Sequence, residues 1–266
     1  MAPKPQDNVG NGSRAPSRPT RSGAVPDARC QDCPSASPLD PRAHEAVERV
    51  RAHVTWGDGS LWVNEWADHG FFAGEVEPCI NGNVVATGAT FGMDMAPLVE
   101  RLLVEQLSDG GWNCEVENGA VVSSLETTIS VLEGLIAHEQ ATGGSPTLRT
   151  ARERGEAYLL QRRLFRRKST GEVIDPVWLR AAFPHWYHYD VLRALDYLRA
   201  AGVRPDERVA EAVAAVEAQR GEDGRCPIQT VHAGEAHVRM EGDEGSPSRW
   251  NTLRALRVLA WAAQAG

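Results

Sequence analysis

Thr128-Ile129-Ser130-Val131-Leu132 recurs as Val191-Leu192-Arg193-Ala194-Leu195 and again as Thr252-Leu253-Arg254-Ala255-Leu256, and this recurrence decides the reading of the fold. Aligned on Ile129, Leu192 and Leu253, the copies stand 63 and 61 residues apart, the length of two helices with their loops. The stretches ahead of them agree as well. Ser123-Ser124-Leu125-Glu126-Thr127 lines up with Pro247-Ser248-Arg249-Trp250-Asn251, and His188-Tyr189-Asp190 falls just before the middle copy. A helical hairpin of this kind buries its apolar face only against its neighbours, so several must stack in an arc or ring. The chain is therefore expected to be all-α, a complete or partial α/α toroid of repeated hairpins, with its concave side or central cavity as the natural ligand site.

Apolar stripes at helical spacing support this: Leu98, Leu102 and Leu103; Ile129, Leu132 and Leu135; Leu192, Leu195 and Leu198; Leu253, Leu256 and Leu259. Sustained alternation of the β type is nowhere found. Residues 1–42 hold eight of the sixteen prolines, with Gly, Ser and Asn and almost no large apolar side chain, so they are expected to be a disordered tail. Residues 43–266 form the expected toroid domain, Asp40-Pro41 being the signal for its first helix. Cys30 and Cys33 make a CxxC in the tail, but no second ligand pair follows at zinc-site spacing.

With 42% hydrophobic and 24% charged residues the chain can bury a real core. A net charge of -8 argues against nucleic acid, whose binding needs concentrated Lys and Arg. The basic run Arg162, Arg163, Arg166, Arg167 and Lys168 reads either as an anion grip or as a solvated helix end. No apolar run is long enough for a bilayer and no secretory leader is evident, so a cytoplasmic protein with reduced thiols is expected. Five cysteines, an odd number, do not suggest a disulfide framework.

Leu102-x3-Gln106-x3-Gly110-x-Trp112 resembles the core of the repeat in squalene-hopene cyclases and other class II terpenoid cyclases, and a degenerate copy stands at Gln219, Gly224 and Cys226. In this repeat the Gln and Trp tie neighbouring hairpins together rather than act on substrate. The chain is also similar to the β subunits of protein prenyltransferases and to small bacterial squalene-cyclase-like proteins, over roughly residues 43–266 in pattern. The resemblance implies a toroid and hints at isoprenoid ligands. It also carries two departures. The Asp-x-Asp-Asp acid motif of the cyclases is absent, Asp94 being a lone carboxylate suited to capping. Glu77-Pro78-Cys79 looks like the carboxylate-x-Cys zinc pair of the prenyltransferases, yet their distant His would fall at Glu126 or Thr127, and residues 68–78 lack the Arg and Lys of a diphosphate grip.

Among the residues themselves, Cys79, Cys114, Glu77 and His185 are the candidate zinc ligands, supplied by loops at equivalent ends of successive hairpins. Buried cysteines of purely apolar character are the alternative for Cys79 and Cys114. The string Phe183-Pro184-His185-Trp186-Tyr187-His188-Tyr189-Asp190 concentrates aromatics, imidazoles and a carboxylate ahead of a helix. His188, Asp190 and Glu126 are the candidates for proton transfer, and Trp112, Trp186, Tyr187, Tyr189, Trp250 and Asn251 for substrate binding. Equally, Asp190 caps a helix and Trp186 and Tyr189 complete the core. The expected activity is that of a terpenoid-cyclase-like or prenyltransferase-like protein acting on an apolar isoprenoid ligand, with zinc as the candidate cofactor. A non-catalytic toroid that binds a protein partner or a second copy, and a carbohydrate-active toroid with facing carboxylates, are the competing readings.

Overall fold

In the computed structural model, Asp40 opens α1 (Pro41–His53), its carboxylate accepting the Arg42 amide N–H at 2.9 Å while Pro41 occupies the first turn. Residues 40–56, 69–232 and 240–265 are described; the expected tail over residues 1–39, with Cys30 and Cys33, lies outside them. Helix α1 begins two residues before the expected domain boundary, at the Asp40-Pro41 signal itself.

Seven further helices follow among the described residues: α2 (Pro78–Thr90), α3 (Ala96–Val104), α4 (Leu125–Thr142), α5 (Pro146–Gln161), α6 (Val191–Ala200), α7 (Ala210–Glu217) and α8 (Arg249–Ala262). One two-stranded antiparallel ribbon, β1 (Cys226–Pro227) with β2 (Pro247–Ser248), is the only sheet there. The all-α expectation holds, and no described helix is long and apolar enough to cross a membrane. Packing runs α2, α4, α6, α8 in a row, with α3 on α2, α5 on α4, and α7 against α6 and α8.

Side-chain caps start three of the four helices of the row, α4, α6 and α8: Ser124 accepts from Thr127 N, Asp190 from Arg193 N and Ser248 from Asn251 N. Counted from these caps, the repeats are spaced 66 and 58 residues apart. The match by letters is therefore out of register in the middle copy. Ser124 precedes Ile129 by five residues and Asp190 precedes Leu192 by two, so Leu195 is the structural equivalent of Ile129. Leucine-rich helices repeat an apolar residue every three or four positions, and a slip of about one turn costs such a comparison little.

The closest packing is between α2 and α4, where glycines bring two backbones into contact. A Cβ on Gly82 would lie 2.2 Å from the Ser130 carbonyl oxygen, and one on Gly134 would lie 2.4 Å from that of Gly82. Cys79 meets the region of Thr127, and Gly82 meets residues 130–134 further along, so the two helices run in the same direction. Helices α6 and α8 do likewise: Asn251 and Arg254 reach Ala181 and Asp196, while Trp261 Nε1 donates to Val203 O at 2.9 Å.

The repeat motif acts as a tie between hairpins. Gln106 Nε2 donates to Gly110 O and to Ala151 O, each at 2.7 Å, linking the loop after α3 to α5. Trp112, with no solvent exposure, donates from Nε1 to Leu102 O, a carbonyl in the last turn of α3 that has no partner within its own helix. Its own backbone N–H donates to Thr128 Oγ1 on α4. The degenerate copy repeats the plan: Gln219 Nε2 donates to Leu179 O, and Cys226 N–H donates to Thr252 Oγ1 on α8.

Candidate functional site

Glu77 stands at the N-cap of α2 and Pro78 fills its first turn, which sets Cys79 one residue inside the helix. Cys114 lies at the start of a short 3-10 turn that Asn113 caps, just ahead of α4. The Gly82–Gly134 contact draws these two starts together. Cys114 Sγ is 2.8 Å from Cys79 Sγ, Cys79 Sγ is 3.6 Å from Glu77 Oε2, and Thr127 Oγ1 donates to Cys114 Sγ at 3.3 Å. One ligand atom from each of Glu77, Cys79 and Cys114 lies within 4.8 Å of the other two, and all three side chains are half-buried.

The Cys79 thiol is pushed far above its usual range, first by the hydrogen bond with Cys114, then by burial and by the negative charge of Cys114 and Glu77. Every neighbour acting on it is acidic. A divalent cation would invert that balance and hold the sulfurs as thiolates. The donor set, one carboxylate and two thiols, is a zinc set with one tetrahedral position left for another ligand. With Zn–S near 2.3 Å the two sulfurs stand about 3.8 Å apart in a tetrahedron, so they must separate by about 1 Å to take the ion.

His185 does not belong to this set. It is buried in the loop before α6, where its Nδ1 lies 2.8 Å from Trp186 O and its own carbonyl accepts from His188 N–H. The loop folds back on itself through these bonds, which directs the imidazole inward. Among the described residues no histidine joins Glu77, Cys79 and Cys114.

A second group of polar side chains surrounds the adjoining starts of α4 and α6. Glu126 keeps access to solvent, yet the protein crowding around it pushes its pKa up, with a smaller push from Asp175; Arg193 and a hydrogen bond from Trp178 pull the other way. His188 stacks on Tyr187, with ring centroids 4.2 Å apart, and on His232, at 3.6 Å. Burial lowers the pKa of both imidazoles, that of His232 to about 4 with His188 adding to the effect. Arg193, itself buried, donates from Nη1 to the carbonyls of Tyr187 and His188 and so holds this loop onto α6.

The proton-transfer pairing of His188 with Asp190 is not formed. Asp190 is buried and accepts from the backbone N–H groups of Arg193 at 2.7 Å and Ala182 at 3.4 Å, so its carboxylate caps α6 instead of meeting an imidazole. The six residues expected to bind substrate also divide. Trp112, Tyr189 and Asn251 are buried: Tyr189 donates its hydroxyl to Leu164 O and packs edge-on against Trp178, and Asn251 Nδ2 reaches Ala181 O and Pro227 O. They hold the fold, because a helix start needs its loop pinned and these side chains do the pinning. Tyr187 is 66% exposed, Trp250 is 38% exposed and stacks on Phe183, and Trp186 is half-buried with a left-handed backbone.

Arg193, Trp178 and His232 escaped the reading of the sequence. Their partners lie far along the chain, His188 and His232 being 44 residues apart, and no local pattern announces such contacts. Two residues of the basic run are already engaged: Arg166 pairs with Glu211, and Arg162 donates to Tyr158 O. Two open clefts, of about 680 Å³ beside Arg204, Arg257 and Trp261 and about 230 Å³ beside Arg225 and Pro247, contain none of the residues of the two groups above. Set against protein-family models, curated proteins and solved structures, the chain has no match.

Proposed function

We propose that this chain is a terpenoid-cyclase-like or prenyltransferase-like protein of the α/α-toroid class, which takes an apolar isoprenoid ligand where α2, α4, α6 and α8 begin. Glu77, Cys79 and Cys114 hold a zinc ion there. The observation that carries the reading is the convergence of these three donors, from the starts of two successive hairpins, within 4.8 Å. When bound, such an ion supplies a Lewis acid with one open position for a soft or oxygen ligand.

The chain's own residues then have defined tasks. Thr127 Oγ1 orients the Cys114 sulfur. The exposed rings of Tyr187 and Trp250 offer faces to an apolar chain. Glu126, solvent-accessible and with its pKa raised by the protein crowded around it, is the group that exchanges a proton at the adjoining helix start.

Metal analysis of the reduced, purified chain tests the first half of this reading. About one zinc per chain is expected, with most of it lost in Cys79→Ser and Cys114→Ser; equal, negligible contents in all three would remove the metal. A panel of polyprenyl diphosphates and squalene tests the second half, with binding or turnover expected and weakened by Tyr187→Ala. Silence across the panel would favour a non-catalytic binding module. That second reading draws support from Trp112, Tyr189, Asp190 and Asn251, which are all engaged in holding the fold.

A further inference from the structure

The distance between the two sulfurs has a second chemical meaning that needs no metal. At 2.8 Å, Cys79 Sγ and Cys114 Sγ have to approach by only about 0.8 Å to reach the length of a disulfide bond, and to part by about 1 Å to share a zinc ion. They stand between two bonded states that exclude each other. The backbone contact at Gly82 and Gly134 keeps α2 and α4 in register beneath them. Cys79 and Cys114 are each half-buried rather than sealed in the core. Cys226, by contrast, is 1% exposed and has neither Cys79 nor Cys114 against it.

We propose that Cys79 and Cys114 form a reversible disulfide that closes when no metal is bound and prevents metal uptake until it is reduced. The two residues are the metal ligands of the reading above, but closing the bond does not depend on that reading. With oxidised glutathione as the oxidant, one cysteine sulfur attacks the glutathione disulfide and releases one glutathione thiol, leaving a mixed disulfide. The other cysteine sulfur attacks that mixed disulfide at the protein sulfur, forms the Cys79–Cys114 bond and releases the second glutathione. Two electrons pass from the protein thiols to the glutathione disulfide, and the two thiol protons end on the released glutathione molecules.

The test uses the full chain, treated with EDTA and incubated across a series of reduced and oxidised glutathione ratios. Trypsin cuts after Arg101, which separates the two cysteines into different peptides. A disulfide-linked pair of the Cys79 and Cys114 peptides is expected, with loss of the free thiol from both of these peptides and its recovery on adding dithiothreitol. Cys226→Ser should leave the linked pair unchanged, and Cys79→Ser, checked by circular dichroism for its helix content, should abolish it. Free thiols at both positions under the most oxidising ratio, or glutathione stably attached to either, would overturn the proposal. Zinc content measured on the reduced and the oxidised chain separates the two ideas: a reduced chain without zinc that still forms the link defeats the metal reading alone, and an oxidised, linked chain that still takes up zinc defeats the exclusion proposed here.

Discussion

Arg193 of α6 grips Glu133 of α4 across the interior, Nη2 donating to Oε2 at 2.6 Å and Nε to Oε1 at 3.1 Å, with the two side chains 1% and 2% exposed. The same guanidinium also donates to Ser130 Oγ and to two carbonyls of the loop that carries Tyr187 and His188. Removing either partner leaves a buried charge uncompensated. Arg193→Met and Glu133→Gln are each expected to lower stability by about 3–5 kcal/mol in urea unfolding. The double variant Arg193→Met/Glu133→Gln should lose less than the two single losses added together. Additive losses would show that the pair does not act as a unit.

The α2–α4 contact admits no side chain at its closest points. Gly82→Ala and Gly134→Ala should each lower stability by about 3 kcal/mol or more, since the added Cβ meets backbone rather than a flexible side chain. Gly70→Ala, where nothing lies within 4 Å of the new methyl and φ is -60°, should be close to neutral. Chemical denaturation of the three variants measures this, and a neutral Gly82→Ala would refute the contact.

His232 and Glu126 should impose opposite pH slopes on stability. Burial lowers the folded pKa of His232 from 6.5 to about 4, so the unfolded chain binds more protons between those values and stability falls as pH drops from 6.5 toward 4. Glu126 has a raised folded pKa, so the folded chain holds more protons above pH 4.5 and stability declines as pH rises through that range. His232→Gln should flatten the first slope and Glu126→Gln the second, read from urea midpoints between pH 4 and 7. An NMR titration of His232 with a midpoint near 6.5 would contradict the half-buried stack with His188.

The tie between hairpins is testable at Gln106 and Trp112. Trp112→Phe leaves the Leu102 carbonyl without its donor in a site closed to water, a loss of about 1–3 kcal/mol. Gln106→Ala removes the bonds to Gly110 and Ala151 and should cost about 1–2 kcal/mol. Circular dichroism should retain the native helix content in both. Neither should alter the zinc content of the chain, which distinguishes these positions from Cys79 and Cys114.

From its own letters the chain declares its helices. Asp40 and Pro41, Ser124, Asp190 and Ser248 act on amides two or three residues away, and the leucine stripes need only helical geometry to share a face. Local signals of this kind also exposed the recurring hairpin and the Gln106–Trp112 tie, and they singled out Glu77, Cys79 and Cys114. Which candidates meet was a matter for the tertiary structure. The two sulfurs, 35 residues apart, converge because Gly82 and Gly134 let two backbones touch, and nothing near either cysteine encodes that approach. His185 turned inward and His232 arrived at His188 from a distant loop for the same reason: a side chain's direction follows from the packing of whole helices, whereas its chemical type is all that a linear string records.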